Sequence, residues 1–225
     1  MTLNETLGIL LQGKVSSWTR DIIDEYHQNF PNAEILLSTW EDEPTQNLPC
    51  KIVKSKAPSL PKPHKSTVNF QIVGCKAGLK NLKTDLIMKC RTDQFIHNKK
   101  IFEIFKNSCS SDKIMVPDLG TVRTTDYRTS DFCQIGYRSV LLDFWNNIQL
   151  YDGLHYEEAA TYLTKHYVLN VKNDHQPWRF TLKKYFCVKK FHEDFQIEWE
   201  KLNNFDEYRN IYDISYSNRV SADYE

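Results

Sequence analysis

The first forty residues of this 225-residue chain constrain its fold more than any other part. Thr6-Leu7-Gly8-Ile9-Leu10-Leu11 is an apolar run that stops at Gln12-Gly13, and Glu34-Ile35-Leu36-Leu37-Ser38-Thr39-Trp40 is a second. Between them, from Trp18 to Phe30, the residues Ile22, Ile23, Tyr26 and Phe30 recur at helical spacing until Pro31-Asn32 ends the pattern. Strand, helix and strand in that order imply a right-handed crossover and a parallel sheet. Ile52-Val53 reads as a weaker third strand. The expected class is therefore α/β, with a mostly parallel mixed sheet flanked by helices.

The alternation continues along the chain. Residues Ala57 to Lys65 carry three prolines among Lys and Ser and read as a loop. Thr67 to Lys80 reads as a helix through Val68, Ile72, Cys75 and Leu79, and it leads into a strand that ends near Asp93. Ile101 to Phe105 reads as a short helix, Lys113 to Pro117 as a strand, and Arg138 to Asn146 as a helix. Past Asp152 the pattern changes to helices rich in Tyr, Glu and Lys, one of them from His155 to Tyr167, while Trp178 to Val188 suggests a strand pair. No internal repeat or low-complexity tract interrupts this. The expectation is one domain, a core over residues 1–150 with a C-terminal helical extension over 151–225.

Composition narrows the function. Lys and Arg total 29 and so do Asp and Glu, so no global positive field drives binding to a polyanion, and nucleic acid is not an expected partner. No apolar run approaches the ~18 residues of a membrane span, and the N-terminus lacks a charged flank followed by a signal core. The expected location is the cytoplasm. Six cysteines stand at 50, 75, 90, 109, 133 and 187 without a C-x-x-C among them, which argues against a zinc site and reads as reduced, mostly buried thiols.

The chemistry concentrates where apolar runs turn polar. Leu86-Ile87-Met88 is followed by Lys89-Cys90-Arg91-Thr92-Asp93, so a buried strand delivers polar side chains to the crevice beyond its carboxyl end. Asp93 there suits a hard divalent cation and Arg91, one pleat away, suits phosphate; together they fit a metal-bound sugar nucleotide. The same residues also read as an Asp capping a helix that begins near Asn98, with Arg91 paired to it. Gln12-Gly13-Lys14 follows the first strand, where glycine permits close approach of a ligand or simply makes a turn. Trp40-Glu41-Asp42 ends the second, where a carboxylate can accept ribose hydroxyls and an indole can stack on a base, unless these are plain loop residues.

Thr129 to Gly136 is another polar-to-apolar switch, in which Asp131 is either a helix cap or a general base for an acceptor hydroxyl. Glu157-Glu158 falls in the expected helix, as a solvated face or a second base. The chain has no G-x-x-x-x-G-K-[ST], no G-x-G-x-x-G, no H-E-x-x-H and no G-x-S-x-G, which argues against ordinary NTPase, dinucleotide, zinc-peptidase and hydrolase chemistry.

Taken in order, several short segments resemble the WavE lipopolysaccharide-synthesis family. They are Leu7 to Gly13, Asn29-Phe30-Pro31-Asn32-Ala33, Ile35 to Glu41, Asn69-Phe70-Gln71-Ile72 with Gly78-Leu79, Lys89 to Gln94, and Ser130 to Gly136. The resemblance spans roughly residues 7–145 and weakens beyond 150, where it rests on Glu157-Glu158 and the aromatic-basic stretch from Trp178 to Trp199.

The resemblance implies a glycosyltransferase of the Rossmann-like GT-A type, with a nucleotide-sugar-binding core over 1–150 and an acceptor-side extension after it. It implies a nucleotide-sugar donor held with Mn²⁺ or Mg²⁺, and a surface glycan or lipid-linked glycan as acceptor, reached at the cytoplasmic face of the membrane. Asp93 then takes the place of the metal-binding aspartate of a D-x-D element, whose first acidic position is Arg91 here, so that either the metal is held by one carboxylate plus the donor diphosphate or Arg91 partly replaces it by neutralising phosphate charge. The family's Asn-Arg-Gln triplet reads Asn69-Phe70-Gln71, which removes a phosphate contact from its middle position. On this basis Gln12, Gly13, Ser38, Trp40 and Glu41 line the base and ribose side, and Asn69, Gln71 and Arg91 the sugar and phosphate side. Asp131 is the expected base, with Glu157 or Glu158 behind it. The competing classes are a catalytically silent carbohydrate-binding or scaffold protein and a nucleotidyltransferase, although the glycine-rich basic segment expected after the first strand of the latter is missing.

Overall fold

The computed structural model describes residues 5–121 and 125–204. The opening folds as read: β1 (Leu7–Gln12), α1 (Thr19–Asn29), β2 (Ala33–Trp40) and β3 (Lys51–Ser55) form parallel neighbours, with β1 in register against β2 from Leu7↔Ala33 to Gln12↔Ser38. The loop that follows leads to α2 (Val68–Asn81), which carries the chain back across β1 to β4 (Leu86–Arg91) on its other side, again parallel. Next come β5 (Gln94–Ile96), α3 (Ile101–Ser108), β6 (Ile114–Pro117), β7 (Gln134–Tyr137) and α4 (Arg138–Asn147). The remainder comprises α5 (Ala159–Lys165), a π-helical segment His166–Val171, α6 (Trp178–Tyr185), β8 (Phe186–Lys189), a second π-helical turn Phe191–Phe195, β9 (Ile197–Trp199) and α7 (Glu200–Asn204).

Seven of these strands form one sheet in the order β3-β2-β1-β4-β7-β6-β8. Only β7 runs against its neighbours, β4 and β6; the other four pairings are parallel. The chain is thus α/β with a mostly parallel mixed sheet, as its sequence implied. Past residue 150 it is helical only in part, because β8 completes the main sheet and β9 pairs with β5.

Alternation along each strand splits the core in two. Leu10, Leu36 and Ile87 face α2 and α4, with Val68, Ile72, Leu79, Phe144 and Trp145 packed against them. Ile9, Leu11, Ile35, Leu37, Met88 and Cys90 face α1 and α3, meeting Ile22, Ile23, Tyr26, Ile101, Phe102 and Phe105. A sheet covered on both faces explains why its central strands read as continuous apolar runs. Gly78 lets α2 sit close: a Cβ there would lie 2.3 Å from Cδ1 of the fully buried Leu10.

Four expectations need correction. The strand expected to end at Asp93 ends at Arg91, since Thr92 and Asp93 turn the chain into β5, which pairs with the distant β9. Trp178 to Val188 is a helix followed by one strand; Trp178, Thr181 and Leu182 are buried at helical spacing, and only Phe186 onward reaches the sheet. The helix expected from His155 begins at Ala159, because Glu158 is extended (φ −68°, ψ 144°) and its carbonyl accepts the first helical bond from the Tyr162 amide. Finally, not all cysteines are reduced. Cys109, just past α3, is bonded to Cys187 on β8 with Cα atoms 5.9 Å apart, a proximity that 78 residues of separation conceal in the sequence. Cys75, Cys90 and Cys133 are buried thiols as expected. Among the described residues no helix is long and apolar enough to cross a membrane.

The close approach of α2 to β1 makes a stability prediction. Gly78→Val should destabilise the protein by about 3 kcal/mol in urea unfolding through overpacking against Leu10, whereas Lys80→Ala on the exposed face should change it by no more than about 0.5 kcal/mol.

Candidate functional site

Chain direction creates the site. From β1 the chain steps outward to β2 and β3, then α2 returns it to the opposite side of β1, so the order reverses between β1 and β4. Loops leaving the carboxyl ends of such neighbours diverge and open a crevice. A cavity of about 610 Å³ lies there, walled by Gln12 to Ser16 after β1, Trp40 at the end of β2, Phe70 and Gln71 in α2, Arg91 to Asp93 after β4, and Glu200 and Lys201 opening α7. Two smaller cavities, of about 500 and 430 Å³, contain none of the residues that the sequence singled out.

The walls are tied to one another. Gly13 has φ +141°, its amide donates to the Ser38 carbonyl at 3.2 Å, and a Cβ would meet the Thr92 hydroxyl at 2.9 Å, so this position needs glycine. Thr92 donates its hydroxyl to the Lys14 carbonyl, and its own carbonyl accepts from Ser16 and Thr19, both at 3.0 Å. Glu43 accepts the Val15 amide at 2.9 Å and fixes the same loop from the β2 side.

Arg91 and Asp93 form the charged centre. Nε of Arg91 donates to Oδ1 of Asp93 and Nη2 to Oδ2, each at 2.8 Å, and the Trp199 indole donates to Oδ2 at 3.2 Å. The guanidinium lies 5.7 Å from the Trp199 ring centroid and the Lys201 ammonium 5.6 Å from it. Burial opposes ionisation of Asp93, but the Arg91 fork, Trp199 and the Lys201 charge together hold its carboxyl below the ordinary value. Burial, reinforced by Arg91, pushes the Lys201 ammonium below the usual lysine value against the pull of Asp93 and Asp131. Of the two readings of Asp93, the pairing with Arg91 is what the structure contains. It caps no helix, since α3 begins only at Ile101.

This donor set does not fit a resident divalent cation. Both Asp93 oxygens are engaged by the Arg91 guanidinium, and the other position of the acidic pair is Arg91 itself.

Gln71 projects from α2 to Asp131, its amide donating to Oδ2 at 2.6 Å. The carbonyl of Asp131 accepts at 2.6 Å from Lys89, a fully buried lysine whose ammonium also sits 5.2 Å from the Trp145 ring centroid. Asp131 is thus held by a wall residue without being part of the lining itself, and it stays half-buried.

The other predicted residues divide. Gln12, Gly13, Trp40, Gln71, Arg91 and Asp93 line one cavity. Ser38 and Asn69 are buried behind it: Ser38 donates to the Gly74 carbonyl at 2.7 Å, and Asn69 bonds both the amide and carbonyl of Tyr151. Glu41 is exposed beside β3, outside the wall. Glu157 and Glu158 also lie outside it, paired with Lys165 at 3.0 Å and Arg128 at 3.1 Å. Trp40 is only 3 % exposed and meets Phe70 edge-on, with ring centroids 5.1 Å apart, so Phe70 is the more open aromatic surface of that wall. Sequence reading missed Phe70 as a wall residue, Glu43, Lys89 and the group Trp199, Glu200 and Lys201. For the last, the only signal was the aromatic-basic character of the stretch ending at Trp199.

Residues 11–207 match the family model for WavE lipopolysaccharide synthesis. No curated protein matches the chain. Among solved structures it is similar to 4-diphosphocytidyl-2C-methyl-D-erythritol synthase from Anaerococcus prevotii DSM 20548, with a TM-score of 0.51 at 9 % identity over 85 % of this chain and 91 % of that one. A nucleotidyl transferase from Methanothermobacter thermautotrophicus gives 0.51 at 10 % identity over 96 % and 99 % of the two chains. At these identities the likeness is one of fold.

The charged centre predicts an acid limb in stability. Because Asp93 is held below its ordinary value of 3.8, the pair's contribution is complete above that pH and is lost as pH falls through the folded-state value. Asp93→Asn should therefore destabilise the protein at pH 7, and its gap from the wild type, followed by urea unfolding between pH 7 and 2.5, should narrow as the pH falls below about 4.

Proposed function

Because the chain belongs to the WavE lipopolysaccharide-synthesis family, we propose that it is a glycosyltransferase that holds a nucleotide-sugar donor in the β1–β4 crevice and passes the sugar to a surface or lipid-linked glycan. The observation that carries this reading is one cavity whose wall holds the cations Arg91 and Lys201 together with Gln71, the residue that donates to the Asp131 carboxylate just behind the lining. Displacement at an anomeric carbon needs both a cationic centre and a base.

In this reading the acceptor hydroxyl attacks the anomeric carbon while the bond to the diphosphate oxygen breaks and its electron pair leaves with the nucleoside diphosphate. Asp131 takes the hydroxyl proton. Gln71 fixes Oδ2 of that carboxylate, and among the described residues no hydrogen bond engages Oδ1, the atom assigned to the proton. Lys89 acts through the Asp131 carbonyl as a positioning residue, clamping the loop from inside the core. Phe70, backed by Trp40, forms the apolar wall for a base or sugar ring. Gly13 allows the phosphates to approach backbone closely.

A nucleotidyltransferase would use the same crevice. The segment after β1, Gln12-Gly13-Lys14-Val15-Ser16-Ser17, has a single glycine and a single lysine, which favours sugar transfer over it.

The first experiment is a thermal-shift screen of nucleotide sugars, since a ligand of the folded state raises its melting temperature by mass action. The expected hit is a nucleotide sugar, with the matching nucleoside triphosphate and sugar phosphate giving a smaller shift; the reverse order would favour nucleotidyl transfer. With the donor in hand, Asp131→Asn should keep donor affinity and melting temperature but lose about 10²- to 10⁴-fold in transfer rate, measured as nucleoside diphosphate release in the presence of acceptor. Normal transfer by that variant would remove Asp131 from the chemistry.

A further inference from the structure

We propose that Arg91 and Lys201, ordered by Asp93 and Trp199, bind the donor's diphosphate directly and stand in for the divalent cation that the fold suggests. The inference rests on the nucleotide-sugar reading above for the identity of the ligand, but its chemistry concerns only a diphosphate anion.

Three observations lead to it. First, among the described residues the cavity wall carries the cations Lys14, Arg91 and Lys201 and the carboxylates Asp93 and Glu200. Both carboxylates have protein partners: Asp93 is held in the Arg91 fork, and Glu200 accepts the Ser17 hydroxyl at 2.8 Å. Second, Arg91 is oriented before any ligand arrives. Two of its nitrogens are pinned to Asp93 and its plane lies near the Trp199 ring, so the long side chain loses little further freedom on binding an anion. Third, Lys201 reaches the same ring from the C-terminal segment and is brought to Arg91 by two long-range links, the β5–β9 pairing and the Glu200 amide donating to the Asp93 carbonyl at 3.1 Å. Two cations placed near one another at one indole suit two adjacent phosphates.

The consequence for transfer is specific. Negative charge that develops on the departing diphosphate oxygen is met by fixed guanidinium and ammonium groups, with Asp93 and Trp199 as positioning residues that never touch the phosphates.

The test is calorimetric titration of the full chain with inorganic pyrophosphate, first in EDTA and then with excess Mg²⁺ or Mn²⁺. Saturable binding in EDTA, changed less than about threefold by either metal, is expected. Lys201→Gln and Arg91→Lys should each weaken it about 10-fold or more, as the loss of a charge-assisted bond does, while Lys80→Gln should not. Lys201→Gln is the variant that leaves the Asp93 fork intact, so a fall in its affinity at an unchanged melting temperature separates binding from folding. Binding that vanishes in EDTA and returns with metal overturns the proposal, as does full affinity in the Lys201→Gln variant. Metal-free pyrophosphate binding without transfer from any nucleotide sugar supports this inference and counts against the transferase reading instead.

Discussion

Burying β1 on both faces and pairing it on both edges leaves no place along its length for chemistry. Its backbone is shared with β2 and β4 in unbroken parallel register from Leu7 to Gln12, and its side chains alternate between two dry cores. Polar groups are tolerated only where the strand stops. Since β2, β1 and β4 run the same way, their ends arrive together, and Gln12 sits opposite Ser38 on one side and Arg91 on the other. The crevice, its lining and its chemistry follow from that shared direction. Reversing β4 would bring Leu86 to the edge in place of Arg91.

What the sequence displayed clearly is what neighbouring residues decide among themselves. The apolar runs of β1, β2 and β4, the amphipathic repeat of α1 and the proline-rich loop before α2 each lie within a dozen residues, and each was legible. The strand-to-charge switches at Gln12-Gly13 and Arg91-Thr92-Asp93 marked the crevice for the same reason. What stayed hidden depends on partners far away in the chain. β5 is three residues long and exists only because β9 pairs with it a hundred residues later; β7 contains Gln134 and Gly136 and gains its strand character from lying between β4 and β6. Lys201 reaches the cavity through that pairing and the Glu200 amide bond to the Asp93 carbonyl, and the Cys109–Cys187 bond likewise joins residues 78 apart.

Residue type misled where surroundings decide the role. Trp40 is the larger aromatic and looked like the stacking surface, yet Phe70 lies edge-on against it and carries the more exposed ring. Glu157 and Glu158 read either as a solvated helix face or as spare bases. The helix begins after them, and each is neutralised by a basic side chain outside the cavity. Glu41 has its amide tied to the Ser55 carbonyl of β3, and its side chain is left in solvent. Asp131 is held by Gln71 from α2, a contact between residues 60 apart that nothing local announced.

Arg91 and Asp93 show how far one substitution in a short polar element redirects its physics. A Mg²⁺ ion held by one or two carboxylates takes the rest of its shell from water and substrate phosphate, so such a site depends on carboxylate oxygens that face the ligand. Here the fork engages both, and turning Asp93 toward a dication would break a half-buried pair at a cost of about 3 kcal/mol or more. It would also leave a guanidinium beside the metal. At roughly 4 Å and an effective dielectric near 20, a single and a double positive charge repel by about 8 kcal/mol. The carboxylate is placed to orient Arg91 at the cavity wall, which is the role its two hydrogen bonds describe.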